Sequence, residues 1–133
     1  MSVRTLDHVN IVTTDLSGAV AFYRDILGLI PSDPPEPLKP EDIRWLNDAE
    51  GRPIVHMVRR EFMERREYFV DNVGNPTGSI DHVAFDCDGL DDMKARLDAA
   101  GLDYRVSGVS GIRLTQLFVR DPNNVLLELN FRG

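Results

Sequence analysis

The sequence predicts an α+β fold of two βαβββ modules in a single domain, over about residues 1–60 and 79–133, with a linker at about 61–78. Two observations predict it. Leu6-Asp7-His8-Val9 returns 74 residues later as Ile80-Asp81-His82-Val83, and each copy leads into a helical pattern. The two halves also end alike, each on strand, polar turn, strand.

The elements follow in order. Leu6 to Val12 alternates as a strand, with Val9 and Ile11 facing a helix and Leu6, His8, Asn10 and Val12 facing away. The first helix is expected over Ser17–Leu27, with Ala19, Phe22, Tyr23 and Ile26 at helical spacing. Asp15 or Ser17 can cap its start, and Gly28 suits the position after its end, where φ turns positive. Residues 31–41 hold five of the eight prolines, so the next strand must be short, displaced or replaced by a loop. Ile43 to Val58 reads as strand, turn, strand, with the turn at 47–53. In the second half, a helix over Leu90–Ala100 takes Asp88 as its cap and Gly101 as its stop, and Thr115 to Asn130 forms a hairpin around Asp121-Pro122-Asn123-Asn124.

Composition narrows the function classes. With 42% apolar residues and ten glycines in 133, the chain can bury a core without staples. A net charge of −7 makes nucleic acid a poor partner, since phosphate binding needs a basic face. No run of 18 apolar residues spans a membrane, and Met1 leads almost at once into a strand, leaving no room for a signal peptide. The single cysteine, Cys87, excludes internal disulfides and thiolate zinc clusters. Its position off the His82 face marks it as a buried thiol. A small acidic cytoplasmic protein is the expectation.

The only three histidines, His8, His56 and His82, fall on matched positions, and Glu128 stands opposite His56 in the repeat at an offset of 72. Three imidazoles and a carboxylate suit one divalent metal: zinc, nickel, iron or manganese. Around His82 and Glu128, alternation leaves a complete apolar set on the other face, and an unpaired buried carboxylate would be costly. Asn10 and Gln116 are candidates for substrate contact, though ordinary strand amides look the same. Phe62, Met63, Tyr68 and Phe69 are candidates for a lid, or for packing of the segment between modules. The mixed run Arg59 to Glu67 has a charge excess of only +1, and reads as a solvated, salt-bridged face rather than an anion clamp.

Leu6-Asp7-His8-Val9, the stretch Phe22-Tyr23-Arg24-Asp25-Ile26-Leu27-Gly28-Leu29, and Phe118-Val119-Arg120-Asp121-Pro122 leading to Leu127-Glu128-Leu129 resemble the vicinal oxygen chelate superfamily over nearly the whole chain. This is also called the glyoxalase/bleomycin-resistance/dioxygenase family. The resemblance implies an open, cup-like mixed sheet with helices outside, and a homodimer acting on a small molecule. It also implies a metal held by His8, His56, His82 and Glu128. In a lyase or isomerase, Glu128 is the base and the metal stabilises an enediolate. The position usually held by glutamate in the glyoxalases is His56 here, which weighs against glyoxalase I proper. An extradiol-type dioxygenase would use His8, His82 and Glu128 on non-haem iron, with His56 as proton carrier. A fosfomycin-resistance-like transferase would use the same three on manganese. The metal-free alternative is a protein that sequesters an antibiotic, as the bleomycin-binding members do.

Overall fold

The computed structural model describes residues 4–65, 77–78, 80–109 and 113–133. The chain divides into two compact units, Met1–Val73 and Gly74–Gly133. The first runs β1 (Val9–Thr13), α1 (Leu16–Asp25), β2 (Ile30–Ser32), β3 (Ile43–Asn47) and β4 (Pro53–Arg59), followed by the short helix α2 (Arg60–Met63). The second runs β5 (Val83–Cys87), α3 (Leu90–Ala99), β6 (Tyr104–Val109), β7 (Leu114–Arg120) and β8 (Leu126–Arg132). Each unit is therefore a βαβββ module carrying a four-stranded mixed sheet. The strand orders β1-β4-β3-β2 and β5-β8-β7-β6 are the same topology twice. The first strand pairs parallel with the last, and the remaining pairs are antiparallel. Tyr68 and Phe69, expected as lid or packing residues, lie outside the described residues.

Alternation sorts each sheet into two faces. In the first, Ile11, Leu46, Val55 and Met57 point one way and are buried. The helix α1 lies against β3 and β4 and buries Ala19, Val20, Phe22 and Tyr23, as its spacing predicts. In the second, Leu117, Val119, Leu127 and Leu129 form the corresponding buried set. Complete burial of a leucine side chain contributes about 1.5–3 kcal/mol, so these central rows dominate the stability of each unit.

The turns repeat as well. Asp48 Oδ1 accepts from the Glu50 and Arg52 backbone N–H groups at 2.9 Å each. Asp121 Oδ1 accepts from those of Asn123 and Val125 at 2.8 Å each. An aspartate thus folds each β-hairpin turn by satisfying its inward N–H groups. The Arg52 and Glu50 bonds also hold the Asp48 carboxyl below its ordinary range, the Arg52 backbone contact being the largest cause.

One expectation holds at the second strand, and two others do not hold. The prolines leave β2 three residues long, at the sheet edge where Pro31 is tolerated. Asp15 caps α1, accepting from Gly18 N–H at 3.0 Å, but Asp88 does not cap α3. Gly89 is the N-cap there, at φ 74°, so Asp88 sits one residue too early to reach the first turn. His8 and His82 each lie one residue before their strand and not within it, at its N-terminal mouth. Gly28 (φ 77°) and Gly101 (φ 67°) end the two long helices as predicted.

Candidate functional site

Strand register fixes the repeat equivalence of the candidate residues. Asn10 pairs with His56 in β1–β4, and Ala84 pairs with Glu128 in β5–β8. Asn10 and Ala84 are themselves 74 residues apart, so His56 and Glu128 occupy one lattice position in two copies of the fold. Neither histidine nor glutamate belongs to the buried apolar face of its sheet.

In the first unit, Trp45 also pairs with His56, giving the row Asn10–His56–Trp45 across the sheet. The three rings stack. His8 lies 3.7 Å from His56 between centroids at an interplanar angle of 12°, and Trp45 lies 4.7 Å from His56, also at 12°. His56 Nε2 is buried with no hydrogen-bond partner. Burial, then the neighbouring His8 charge, lowers the His56 pKa, so the ring is neutral at pH 7. Beside it lies a cavity of about 170 Å³ shared with Asn10, Trp45, Phe62 and Met63. Asn10, Phe62 and Met63, marked from the sequence, therefore gather at His56.

The second unit carries Glu128 differently. His82 Nε2 stands 3.6 Å from Glu128 Oε1. The other carboxylate oxygen, Oε2, accepts from Asn130 Nδ2 at 3.0 Å, and Asn130 Oδ1 accepts in turn from Gln116 Nε2 at 3.1 Å. Gln116, marked as a substrate contact or, more readily, an ordinary strand amide, donates across the β7–β8 pair to Asn130, which in turn donates to Glu128. Arg105 lies over the Phe118 ring, 4.8 Å from its centroid, and Phe118 pairs with Glu128. Sequence reading singled out neither Asn130 nor Arg105: the Asn130 bond to Glu128 is local to β8, two residues along one face, whereas the place of Arg105 depends on cross-strand register.

Both mouth histidines are held the same way. Asp7 Oδ2 lies 2.6 Å from His8 Nδ1, and Asp81 Oδ2 lies 2.9 Å from His82 Nδ1. A carboxylate on Nδ1 fixes the tautomer whose Nε2 lone pair is free for a metal, the arrangement that orients many metal-binding imidazoles. The Asp81 hydrogen bond, then the Glu128 charge, raises the His82 pKa.

These donors can be tested against a divalent cation. Bonds of about 2.1 Å at a tetrahedral angle set two donors about 3.4 Å apart, close to the His82–Glu128 separation. That pair fits. The His8–His56 stack fits less well as a double donor, because stacked rings hold their in-plane lone pairs in two nearly parallel planes that do not meet at one ion. Among the described residues, no three of His, Cys, Asp and Glu stand together as a metal cage. A larger, open cavity of about 770 Å³ near Cys87, Arg113 and Arg132 contains none of the four candidate residues. Cys87 is half-buried, and burial pushes its thiol up to about 11, consistent with an inert thiol. No helix among the described residues is long and apolar enough to cross a membrane. The described part of the charged run, Arg59–Arg65, is salt-bridged as expected, through Arg59–Asp42 at 2.6 Å and Arg60–Glu64 at 3.4 Å, and Arg66 and Glu67 lie outside the described residues.

Two four-stranded mixed sheets of one topology, each with an ionisable residue at the same point of its last strand, define a paired βαβββ protein. The family model for the Glyoxalase/Bleomycin resistance protein/Dioxygenase superfamily matches residues 5–129, and the chain belongs to that superfamily. It is 25% identical over 131 residues to Glyoxylase I 4 of Arabidopsis thaliana, covering 97% of this chain and 71% of that protein. Among solved structures, it is similar to a glyoxalase/dioxygenase from Nostoc punctiforme, with a TM-score of 0.74 and 18% identity over 98% of this chain and 92% of the other. It is also similar to a lactoylglutathione lyase from Agrobacterium tumefaciens, with a TM-score of 0.66 and 18% identity over 98% and 95%. At those identities the structural likeness establishes the fold.

Proposed function

We propose that the protein is a divalent-metal-dependent lyase or isomerase that moves a proton between neighbouring carbons of a small oxygenated substrate. Its ligands are His8, His82 and Glu128, with His56 as the proton carrier, in a homodimer of the kind common in the family. The observation that carries the reading is the His82–Glu128 pair. Two donors stand at a metal-compatible separation, and each is held from behind, by Asp81 and by Asn130. Zinc, nickel, iron or manganese all suit imidazole with carboxylate.

A cation bound there would supply electrophilic stabilisation of negative charge developing on a substrate oxygen. The chain's own residues do the rest. Glu128 would hold the cation through Oε1, on the His82 side, and receive the proton from carbon at Oε2, whose other lone pair accepts from Asn130, the bond that fixes the carboxylate plane. His56, neutral and desolvated, takes or returns a proton at Nε2, the buried atom that has no partner in the structure. Its stacking between His8 and Trp45 favours that role over ligation.

Metal analysis of untagged protein tests the proposal. Wild-type protein should bind close to one equivalent of Zn²⁺ or Ni²⁺, and His82→Ala should bind at least tenfold more weakly. Equal indifference of both proteins to Zn²⁺, Ni²⁺, Fe²⁺ and Mn²⁺ would end the metal reading. Turnover that needs O₂ and returns only with Fe²⁺ would replace the lyase with the dioxygenase.

A further inference from the structure

We propose that the cavity beside His56 takes an uncharged ring of about the size of benzene, carried by the substrate. This rests on His56 belonging to the site, and it goes further by naming a substrate class. Size comes first. The cavity measures about 170 Å³, and an apolar cavity of about 150 Å³ is enough to bind benzene. Whole-ligand sites are larger, roughly 300–1,000 Å³, so this one accepts a substituent and not an entire substrate.

Lining chemistry comes next. Trp45 and Phe62 offer aromatic surfaces, Leu38 and Met63 offer deformable apolar ones, and His56, whose two faces are taken by His8 and Trp45, offers only its edge. Among the described lining residues there is no Lys, Arg, Asp or Glu, so a charged group entering there would lose its hydration without gaining a counter-ion. Three polar groups remain, the Trp45 indole N–H, the Asn10 carboxamide and the His56 imidazole, neighbours in one row of the sheet. They place a hydroxyl or carbonyl on the ring, or on the carbon beside it, next to the proton carrier. A ring packed between aromatic faces gains edge-to-face or offset-stacked contacts that a flexible alkyl chain would not. The substrate class is thus an aryl-substituted hydroxy or keto compound.

Trp45 is the chain's only tryptophan and lines this cavity, so its fluorescence reports occupancy directly. Phenol is titrated into chelator-treated wild-type protein, with excitation at the red edge of indole absorption. A saturable change in Trp45 emission is expected, with benzoate at neutral pH binding at least tenfold more weakly. Leu38→Phe, which fills the cavity from its half-buried loop, should weaken phenol at least tenfold while the thermal melt stays cooperative. Met63→Ala, which enlarges the cavity, should shift preference from phenol towards 2-naphthol. Benzoate binding as well as phenol overturns the proposal. So does phenol binding equally to wild type, Leu38→Phe and Met63→Ala, or no saturable change at all. Because the titration is run without metal, its failure leaves the metal reading standing, and phenol binding to a protein that takes no metal leaves the ring pocket standing.

Discussion

The two units share a backbone and divide the chemistry. At the lattice row that carries the ionisable residue, the first has Asn10, His56 and Trp45, whereas the second has Ala84, Glu128, Phe118 and Arg105. At the next row the first has Val12, Val58 and Ile43, and the second has Asp86, Asn130 and Gln116. One copy has become an aromatic and aliphatic wall around a desolvated imidazole. The other has become an amide chain that steers a carboxylate. A buried apolar face is common to both, and the divergence falls on the opposite face, where the first unit still buries Ile43 and Val58.

Removing that common face should have the largest effect. Leu127 and Val55 hold equivalent positions, both essentially inaccessible. Leu127→Ala is expected to cost about 2–5 kcal/mol, and Val55→Ala less because fewer methyl groups are lost. Chemical denaturation of both variants checks this, and equal costs would mean that the two sheets are not packed alike.

The ends of the first strands offer a second contrast. Thr13 ends β1, its hydroxyl accepting from Asp15 N–H at 3.1 Å, and its counterpart Cys87 ends β5 as a half-buried thiol. Burial is the main cause that raises Cys87 from 9.0 to about 11. The unfolded chain therefore gives up this proton first, and the stability linked to it is full below pH 9 and lost as pH climbs towards 11. At pH 9 the native thiol is about 1% ionised against about half in the unfolded chain, so iodoacetamide should label folded protein about fiftyfold more slowly. Equal labelling rates with and without urea would show that the site is open.

The smallest effect expected is at Gln116. Gln116→Ala removes the donor that orients Asn130, and metal affinity should fall about tenfold with unchanged unfolding free energy to within about 1 kcal/mol. Gln116→Glu, which presents an acceptor instead, should not restore it. A loss of stability without a loss of affinity would make the amide chain structural only.

Much of this organisation is visible in the chain. The repeated Asp-His pairs, the helix stops at Gly28 and Gly101, the two turn aspartates and the proline-shortened second strand all follow from local spacing and local backbone preference. The equivalence of His56 and Glu128 follows from the offset alone, and the register bears it out. What local spacing does not carry is contact across strands. The stack of His8, His56 and Trp45 and the bond from Gln116 to Asn130 join residues 11 to 48 positions apart. They become readable only when the pairing register is known. Asp88 failed as a cap for a related reason: an αL glycine after it moved the helix start by one residue.

The bonds Asp7–His8 and Asp81–His82 link neighbours in the chain, whereas the relay behind Glu128 needs β7 paired with β8 for its Gln116 step. Tautomer selection for both imidazoles is thus settled within a dipeptide, and two adjacent codons carry it as one unit. Drift in the surrounding strands can move such a donor in space without changing which nitrogen it offers.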